Sequence, residues 1–384
     1  MEKRNVYLDY SATTPLKDEV LEAMMPYLKE KYGNPSSIYS KGIENKEAIK
    51  TSRLQISKLI NSEKDEIYFT GSGSESDNWA IFGTASSLRC KHIITSNIEH
   101  HAVLNSLEHL ESQGYEVTYL KVNEQGLINP DDLEKAIKDD TILVTIMMAN
   151  NEIGTIQPIK KLARIAHDKG VLFHCDAVQA LGNIPIDVNK LGVDMMSFSA
   201  HKLYGPKGIG ALFIKDGVEI DNLIYGGAQE NGKRAGTENV PSIVGFGKAS
   251  ALALSGLTEH IAHCLELRNY FADRLFEDVF DTHVNGTMLD RLPGNLNISF
   301  DFIEGEAILM MLDYMGISVS TGSACSSSSG SPSHVLSAIG VPESRTYGTI
   351  RFSIGDFTTK EDIDYVIDAI KDITKKLKEL SPFK

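Results

Sequence analysis

Long apolar runs are what this sequence most clearly lacks. The longest, such as residues 142–149, extend over about six to nine residues, whereas a membrane-spanning helix needs about 20. The N-terminal residues are charged and lead directly into a strand-like segment, without the apolar region of a signal peptide. We therefore expect a cytoplasmic protein that has no membrane partner.

Basic side chains are also scarce relative to acidic ones. The chain has 38 Lys and Arg against 52 Asp and Glu, which gives a formal net charge of −14. An acidic surface repels the phosphate backbone of nucleic acids, so we expect no direct nucleic-acid partner.

Cysteines are few and far apart. The four cysteines, Cys90, Cys175, Cys264 and Cys325, are separated from one another by more than 60 residues. This spacing fits neither a disulfide framework nor a zinc-binding motif, and we predict no metal site. The first three are expected to be reduced, buried side chains. Cys325 differs, because it lies within the Ser- and Gly-rich residues 318–333, which are typical of a loop.

What the chain has in quantity is an alternation of strand-like and helical segments over residues 64–215. Strand-like runs are predicted at residues 66–70, 92–96, 116–120, 142–148, 171–175, 195–199 and 210–214. Residues 158–169 have the apolar spacing of a helix, with a proline at the start and a glycine after the end. This alternation predicts an α/β fold with a mostly parallel sheet between helices.

A different pattern after residue 255 indicates a second, smaller domain. The predicted elements are helices over residues 257–280 and 360–380 and strands over residues 296–300 and 350–354. At 384 residues the chain is long enough for two domains. We predict a large domain over residues 15–254 and a small α+β C-terminal domain that combines residues 1–14 with residues 255–384.

Open α/β sheets bind ligands beyond the carboxyl ends of their strands, so the residues that follow each predicted strand are candidates for a site. In the first such turn, residues 71–76, Gly73 and Ser74 precede a helical segment. Amides at a helix start, together with Ser hydroxyls, can bind a phosphate. The same pattern is also typical of an ordinary turn in which Ser caps the helix.

Two later strands are followed by an acid and an amine. Asp176 comes at the end of one strand, and Lys202 lies in a Gly-rich turn after another, flanked by Ser199 and His201. Each also has an ordinary interpretation, as a turn cap and as a solvent-facing lysine. Together with residues 71–76 they supply an aldehyde-binding amine, an acid for a pyridinium nitrogen and a phosphate seat. Pyridoxal phosphate requires this set of groups.

Pairs of histidines and asparagines follow two further strands. One of His100 and His101 is placed to stack on a cofactor ring and to move protons. Asn150 and Asn151 are placed either to contact a cofactor or substrate or simply to hold a turn.

With these residues in place, the sequence resembles the cysteine desulfurases of the NifS/IscS type, in the class V aminotransferase group of fold-type-I pyridoxal-phosphate enzymes. The resemblance runs over nearly the whole chain. The matching stretches are residues 7–15, 33–37, 70–78, 99–100, 150–154, 176–179, 197–210, 226–230, 234–237, 322–325 and 350–353. One departure is Ser74, where relatives often have Thr, and the hydroxyl is kept.

The resemblance implies a role for each of these positions. Cofactor contacts are implied for Gly73, Ser74, His100, Asn151, Asp176, Gln179, Ser199, His201, Lys202 and Thr237, the last of them through the partner subunit of a homodimer. Substrate contacts are implied for Asn34, Asn151 and Arg351. The implied catalytic residues are Lys202, which binds the cofactor as a Schiff base, His100, which stacks on its ring, and Cys325, which accepts the sulfur.

The implied reaction converts L-cysteine to L-alanine and leaves the sulfur as a persulfide on Cys325. From there the sulfur is expected to pass to an acceptor protein, such as an iron–sulfur scaffold or a tRNA thiolation enzyme. A loop around Cys325 suits a thiol that collects sulfur in one place and delivers it in another. Three alternatives stay open: a selenocysteine lyase, a class V aminotransferase that needs no cysteine, and a non-catalytic sulfur-pathway scaffold with the same fold.

Overall fold

The structure is a computed structural model that describes residues 4–88, 90–321 and 332–380. Its strands are β1 (Val6–Tyr7), β2 (Ile67–Thr70), β3 (His92–Ser96), β4 (Glu116–Leu120), β5 (Thr141–Thr145), β6 (Leu172–Asp176), β7 (Met195–Ser199), β8 (Gly210–Ile214), β9 (Thr282–Val284), β10 (Asn295–Phe300), β11 (Ile317–Ser318), β12 (Ser320–Thr321) and β13 (Thr349–Ser353). Its helices are α1 (Asp18–Lys29), α2 (Ser40–Ile60), α3 (Gly73–Ser87), α4 (His101–Ser112), α5 (Pro130–Ala136), α6 (Ile159–His167), α7 (Val188–Leu191), α8 (Val240–Asp278), α9 (Gly305–Tyr314), α10 (His334–Ala338), α11 (Glu343–Thr346) and α12 (Lys360–Leu380).

Seven of the described strands form the central sheet, in the order β2-β8-β7-β6-β5-β3-β4. Strand β8 runs antiparallel to its neighbours β2 and β7, and the other neighbouring pairs are parallel. The adjacent residues Leu143 and Val144 belong to different apolar clusters, one shared with α3 and α4 and the other with α6 and α8. Helices therefore cover both faces of the sheet, and the predicted α/β architecture is confirmed.

The second sheet has the order β12-β13-β10-β9 and is antiparallel. Its apolar core contains Phe271 from α8, Phe300 from β10 and Phe352 from β13. Val6 and Leu8 join the same core, where β1 pairs in parallel with β11. The N-terminal strand thus packs with the C-terminal part of the chain.

Helix α8 departs from the sequence prediction. The apolar spacing predicts a helix from residue 257, whereas α8 begins at Val240. Its start is fixed by Asn239, whose side chain accepts a hydrogen bond from the Ser242 amide at 3.3 Å. The helix therefore crosses the boundary predicted between the two domains and supplies side chains to both apolar cores.

Within the described residues, α8 is the one helix that is long and apolar enough to cross a membrane by length and composition. Its most apolar window is 44% buried inside the structure, and core helices of soluble proteins pass the same test. Because α8 also packs along α1 and α2, we interpret it as a core helix.

Candidate active site

A cavity of about 540 Å³ lies at the carboxyl ends of the central strands. Its walls are segments that follow β2, β3, β5, β6 and β7, together with N-terminal residues 11–13 and, from the C-terminal part of the chain, His334 and Arg351. This is the position where an open α/β sheet binds ligands. Ten of the predicted site residues line it, namely Gly73, Ser74, His100, Asn151, Asp176, Gln179, Ser199, His201, Lys202 and Arg351.

The turn after β2 presents the N-terminus of α3 to the cavity. Ser72 caps the helix by accepting a hydrogen bond from the Glu75 amide at 3.1 Å, and the first amides of a helix have no partner within it. Gly73 leaves no room for a side chain, because a Cβ there would lie 2.7 Å from Val178 Cγ2. The helix start, with the Ser74 hydroxyl beside it, is therefore suited to an anion.

Two ion pairs brace this turn from outside the cavity. Arg234 donates to the Glu75 carboxylate at 2.8 and 3.2 Å, and the same carboxylate accepts from the Gly71 amide at 2.8 Å. Arg53 donates to both oxygens of Glu230 at 2.8 Å, and Glu230 in turn accepts from the Phe69 amide, just before the turn, at 2.9 Å. Bidentate pairs of this kind fix geometry as well as charge, so the backbone of the turn is held in place.

Lys202 ends a short 3-10 turn, Ala200–Lys202, that follows β7. Its Nζ donates to the carbonyl oxygens of Ser11 at 2.5 Å and Ala12 at 2.8 Å. Gln179 Nε2 donates to the same Ser11 carbonyl at 2.9 Å. The N-terminal segment therefore forms the wall that faces the lysine.

His201 and Ser199 stand on either side of the same turn. His201 Nδ1 lies 3.1 Å from the Thr13 hydroxyl. Burial, aided by the charge of Lys202, lowers the pKa of His201 to about 4, so the ring is neutral at physiological pH. Ser199 is buried at the end of β7, close to Gly73 at the start of α3. Both residues therefore supply neutral hydrogen-bonding groups beside the anion seat.

Asp176 is buried at the end of β6, where its Oδ1 accepts a hydrogen bond from the Val178 amide at 2.9 Å. Burial raises the pKa of Asp176 above its usual range, although the Val178 amide and the charge of Lys202 act in the opposite direction. A positive group beside the carboxylate, such as a protonated pyridine nitrogen, would offset this desolvation.

A second buried carboxyl group, Asp77 on α3, also lines the cavity. It is not among the residues predicted from the sequence. Its Oδ1 lies 3.7 Å from His174 Nε2 and has no hydrogen-bond partner in the part of the chain that the structure describes. Burial and the charge of Asp176 raise the pKa of Asp77 well above its usual range. The sequence signal that could have indicated Asp77 is its place within the matching residues 70–78.

His100 is the N-cap of α4, and its Nδ1 accepts a hydrogen bond from the Ala102 amide at 3.1 Å. The proton of the neutral ring is therefore on Nε2. Burial, with smaller effects from Lys202 and His101, lowers the pKa of His100 to about 4. The ring of His101 in turn lies 5.0 Å from that of His334, which also lines the cavity. The cavity thus contains a neutral imidazole that can donate a hydrogen bond from Nε2.

Arg351 on β13 supplies the buried positive charge of the cavity wall and is 2% exposed. Its Nη2 donates to Asp9 Oδ1 at 2.7 Å, and its Nη1 donates to the Asn151 carbonyl at 3.1 Å. A guanidinium in this position is suited to a carboxylate.

Glu152, next to Asn151, is another buried acid that the sequence reasoning did not single out. Its Oε2 accepts a hydrogen bond from the Ser333 hydroxyl at 2.6 Å. Burial raises the pKa of Glu152 to about 7, and Ser333 and Arg351 oppose the rise. Its place within the matching residues 150–154 is the one signal that could have found it.

Two of the predicted site residues that the structure describes, Asn34 and Thr237, do not line the cavity. Asn34 is exposed, and its Oδ1 accepts a hydrogen bond from the Ser36 amide at 2.9 Å. Thr237 is also exposed and lies outside the cavity. Cys325 lies outside the described residues.

The cavity residues fit the pyridoxal phosphate expected from the sequence. The start of α3, with Ser199 and His201, matches the phosphate, the amine of Lys202 matches the aldehyde, and the desolvated carboxyl of Asp176 matches the ring nitrogen. Among residues 4–88, 90–321 and 332–380, no group of three or more His, Cys, Asp or Glu side chains is arranged to hold a metal ion.

Known proteins resemble this chain over nearly its whole length. The family model described as aminotransferase class-V matches residues 6–366. A cysteine desulfurase IscS of Dictyoglomus turgidum is 55% identical over 384 residues, which cover 100% of this chain and 98% of the relative. A solved structure described as a NifS-like protein has a TM-score of 0.92 at 40% identity and covers 97% of this chain and 100% of its own. A structure of SspA in complex with cysteine has a TM-score of 0.82 at 36% identity, over 92% of this chain and 100% of that one.

The match of the whole chain and the agreement of fold with these structures lead to the same assignment. The chain belongs to the class-V aminotransferase family and, within it, to the pyridoxal-phosphate-dependent cysteine desulfurases of the NifS/IscS type.

Proposed function

We propose that this chain is a cysteine desulfurase that binds pyridoxal phosphate, converts L-cysteine to L-alanine and transfers the sulfur to its own Cys325. The observation that carries the proposal is the convergence of Lys202, Asp176, Arg351 and the start of α3 on one cavity. Membership of the cysteine desulfurase family supports the same reaction.

The cofactor is proposed to lie between the start of α3 and Asp176. Gly73, Ser74 and Ser199 would hold the phosphate, with His201 beside them, and Lys202 would bind the aldehyde. When bound, pyridoxal phosphate withdraws electrons from the Cα of the amino acid joined to it. The role of Asp176 is to keep the ring nitrogen protonated, which its buried carboxylate favours because a nearby positive charge offsets its own desolvation.

The substrate is proposed to bind through its carboxylate to Arg351, with Asn151 beside it. This would bring the Cα of L-cysteine near Lys202 and His100. Once the substrate amine has displaced it from the cofactor aldehyde, the free Lys202 Nζ would take the Cα proton, and His100 would stack on the cofactor ring and donate a hydrogen bond from Nε2 to the group that gains or loses the proton. Because burial lowers the pKa of His100 to about 4, the ring is in its neutral form at physiological pH and keeps Nε2 as a hydrogen-bond donor.

Cys325 is proposed as the thiol that takes the sulfur. As a thiolate it attacks the substrate sulfur, so that an S–S bond forms on the protein while the Cβ–S bond of the substrate breaks. A reductant or an acceptor protein then removes the sulfur. Iron–sulfur scaffolds and tRNA thiolation enzymes are the kinds of acceptor that we propose.

A homodimer in the cytoplasm is the proposed form of the enzyme, with residues 15–254 as its large domain. Thr237 is exposed in the single chain, as expected for a residue that completes the cavity of a partner subunit. Exposed apolar side chains near Asn34, among them Tyr32 at 71% and Ile38 at 93%, support a buried contact in this region.

The proposal is tested by loading the purified chain with pyridoxal phosphate and supplying L-cysteine with a thiol reductant. We expect alanine and sulfide in equal amounts. Parallel reactions with L-selenocysteine and with amino-group acceptors separate the alternatives: a strong preference for selenocysteine favours a lyase, and transamination without sulfide favours an aminotransferase. Failure to bind the cofactor at all would favour a non-catalytic scaffold.

A further inference from the structure

Arg351 already has a carboxylate partner before any substrate binds. The guanidinium side chain is 3% exposed, and its Nη2 lies 2.7 Å from Asp9 Oδ1, whose side chain is 18% exposed. A buried guanidinium needs a counter-charge, because desolvation of an unpaired charge is strongly unfavourable. Arg351 lines the cavity, whereas Asp9 lies outside its lining.

Asp9 is held beside Arg351 by the backbone. Asp9 forms a parallel bridge with Ser353, which lies two residues beyond Arg351 on β13 and therefore on the same face of the strand. The Ser353 amide donates to the Leu8 carbonyl at 2.7 Å, and the Tyr7 hydroxyl donates to the Asp9 carbonyl at 2.9 Å. The backbone of Asp9 is thus held against β13, which keeps its carboxylate within reach of Arg351.

The position of Asp9 on the guanidinium matters for a second carboxylate. A guanidinium binds a carboxylate with two parallel bonds along an edge formed by Nη2 with either Nη1 or Nε. Asp9 occupies Nη2, the Asn151 carbonyl occupies Nη1, and Nε has no partner within the described residues. An incoming carboxylate must therefore share this cation with Asp9.

We infer that Asp9 is a resident counter-ion that weakens the binding of the substrate and product carboxylate at Arg351, and so promotes the release of L-alanine. The inference rests on the proposed function, which places the α-carboxylate at Arg351. With the amino acid bound, one guanidinium lies between two carboxylates, and like charges repel strongly in a buried site. Asp9 acts through Arg351 and is a positioning residue.

The test uses Asp9→Asn in the enzyme loaded with pyridoxal phosphate. Asn has the shape of Asp and keeps an oxygen for Nη2 of Arg351, so that mainly the charge is lost. Binding of L-alanine, which has the carboxylate but no thiol, is measured by titration calorimetry. We expect the Kd of L-alanine to fall about tenfold, and inhibition by this product to become stronger.

Binding of L-alaninamide distinguishes a charge effect of Asp9 from a general change in the shape of the site. L-Alaninamide has no anionic carboxylate, so its Kd should be the same in wild type and Asp9→Asn. Asp301→Asn is the matched control variant, because Asp301 is 17% exposed and pairs with Arg345 at 2.8 Å, away from the cavity. This variant should bind L-alanine as the wild type does.

The outcomes separate the inference from the proposed function. An unchanged or higher Kd of L-alanine in Asp9→Asn, or an equal change for L-alaninamide, would overturn the role of Asp9 alone. A wild type that releases no alanine and sulfide from L-cysteine and does not bind L-alanine would overturn both. If Asp9→Asn does not fold, Asp9→Glu keeps the charge, and its Kd should stay within about twofold of wild type; tighter binding by Asp9→Glu would contradict the inference.

Discussion

Replacement of Glu152 by Gln should make the protein more stable at alkaline pH. Glu152 is 4% exposed, and its carboxylate accepts a hydrogen bond from Ser333. Burial raises its pKa from 4.5 to about 7, against the effects of Ser333 and Arg351. Because burial disfavours the charged form, ionisation of Glu152 opposes folding. Gln has the same shape and an oxygen for Ser333, but it never ionises.

The sign and size of the effect follow from proton linkage. A pKa that is higher in the folded chain than in the unfolded one means that the folded protein binds more protons, so stability falls as the pH rises from 4.5 to about 7. The loss of stability is about 1.4 kcal/mol for each pH unit in that window, which adds up to about 3 kcal/mol. We expect the free energy of unfolding of Glu152→Gln to exceed that of the wild type by about 3 kcal/mol at pH 8 and by only about 1 kcal/mol at pH 5.

The assay is urea unfolding at pH 8 and pH 5, monitored by tryptophan fluorescence, with thermal unfolding by calorimetry as a second measurement. The fluorescent probe is Trp79, the single tryptophan, which is 1% exposed. Glu230→Gln is the contrasting variant. Glu230 is also buried, but Arg53 binds both of its oxygens, so its replacement should destabilise the fold by about 3 kcal/mol. A Glu152→Gln protein no more stable than wild type at pH 8, or a difference independent of pH, would refute the reasoning.

Three further predictions concern the cavity. Lys202→Ala should lose the visible absorbance of the bound cofactor and all sulfide release while it stays folded; retained colour would mean that another lysine binds the cofactor. Gly73→Ala should weaken pyridoxal-phosphate binding at least about tenfold, because the new Cβ would lie 2.7 Å from Val178 Cγ2, and an unchanged Kd would remove Gly73 from the phosphate seat. His100→Asn keeps a good helix cap but removes the imidazole, so kcat should fall about 10²–10⁴-fold with little change in Tm; an unchanged kcat would exclude His100 from proton transfer.

The sequence was most informative about the central sheet and about the side chains that follow its strands. Buried strands are short, apolar and bounded by turns, so β3 and β7 coincide with their predicted runs, as does the partly exposed edge strand β4. Because parallel strands end at one edge of a sheet, residues as distant as Gly73 and Lys202 were expected to meet, and both line one cavity.

Local sequence patterns did not predict the contacts between segments that are distant in the chain. The sequence of residues 11–13 does not indicate that the carbonyl oxygens of Ser11 and Ala12 accept hydrogen bonds from Lys202 Nζ, because these contacts depend on how the N-terminal segment packs. The pairing of Asp9 with Arg351 across 342 positions is of the same kind. Asp77 was missed because an acid in a helix is usually exposed, and only its packing against the sheet buries it.

The measurement that tests the central claim most directly compares the wild type with Cys325→Ser in a single turnover of L-cysteine, with alanine and sulfur both counted. Both proteins should bind pyridoxal phosphate and L-cysteine. We expect the wild type to form one alanine per active site and to hold one sulfur as a persulfide that a reductant releases, and Cys325→Ser to form neither. Equal alanine and sulfide from Cys325→Ser would contradict the proposal that the chain is a desulfurase acting through this thiol.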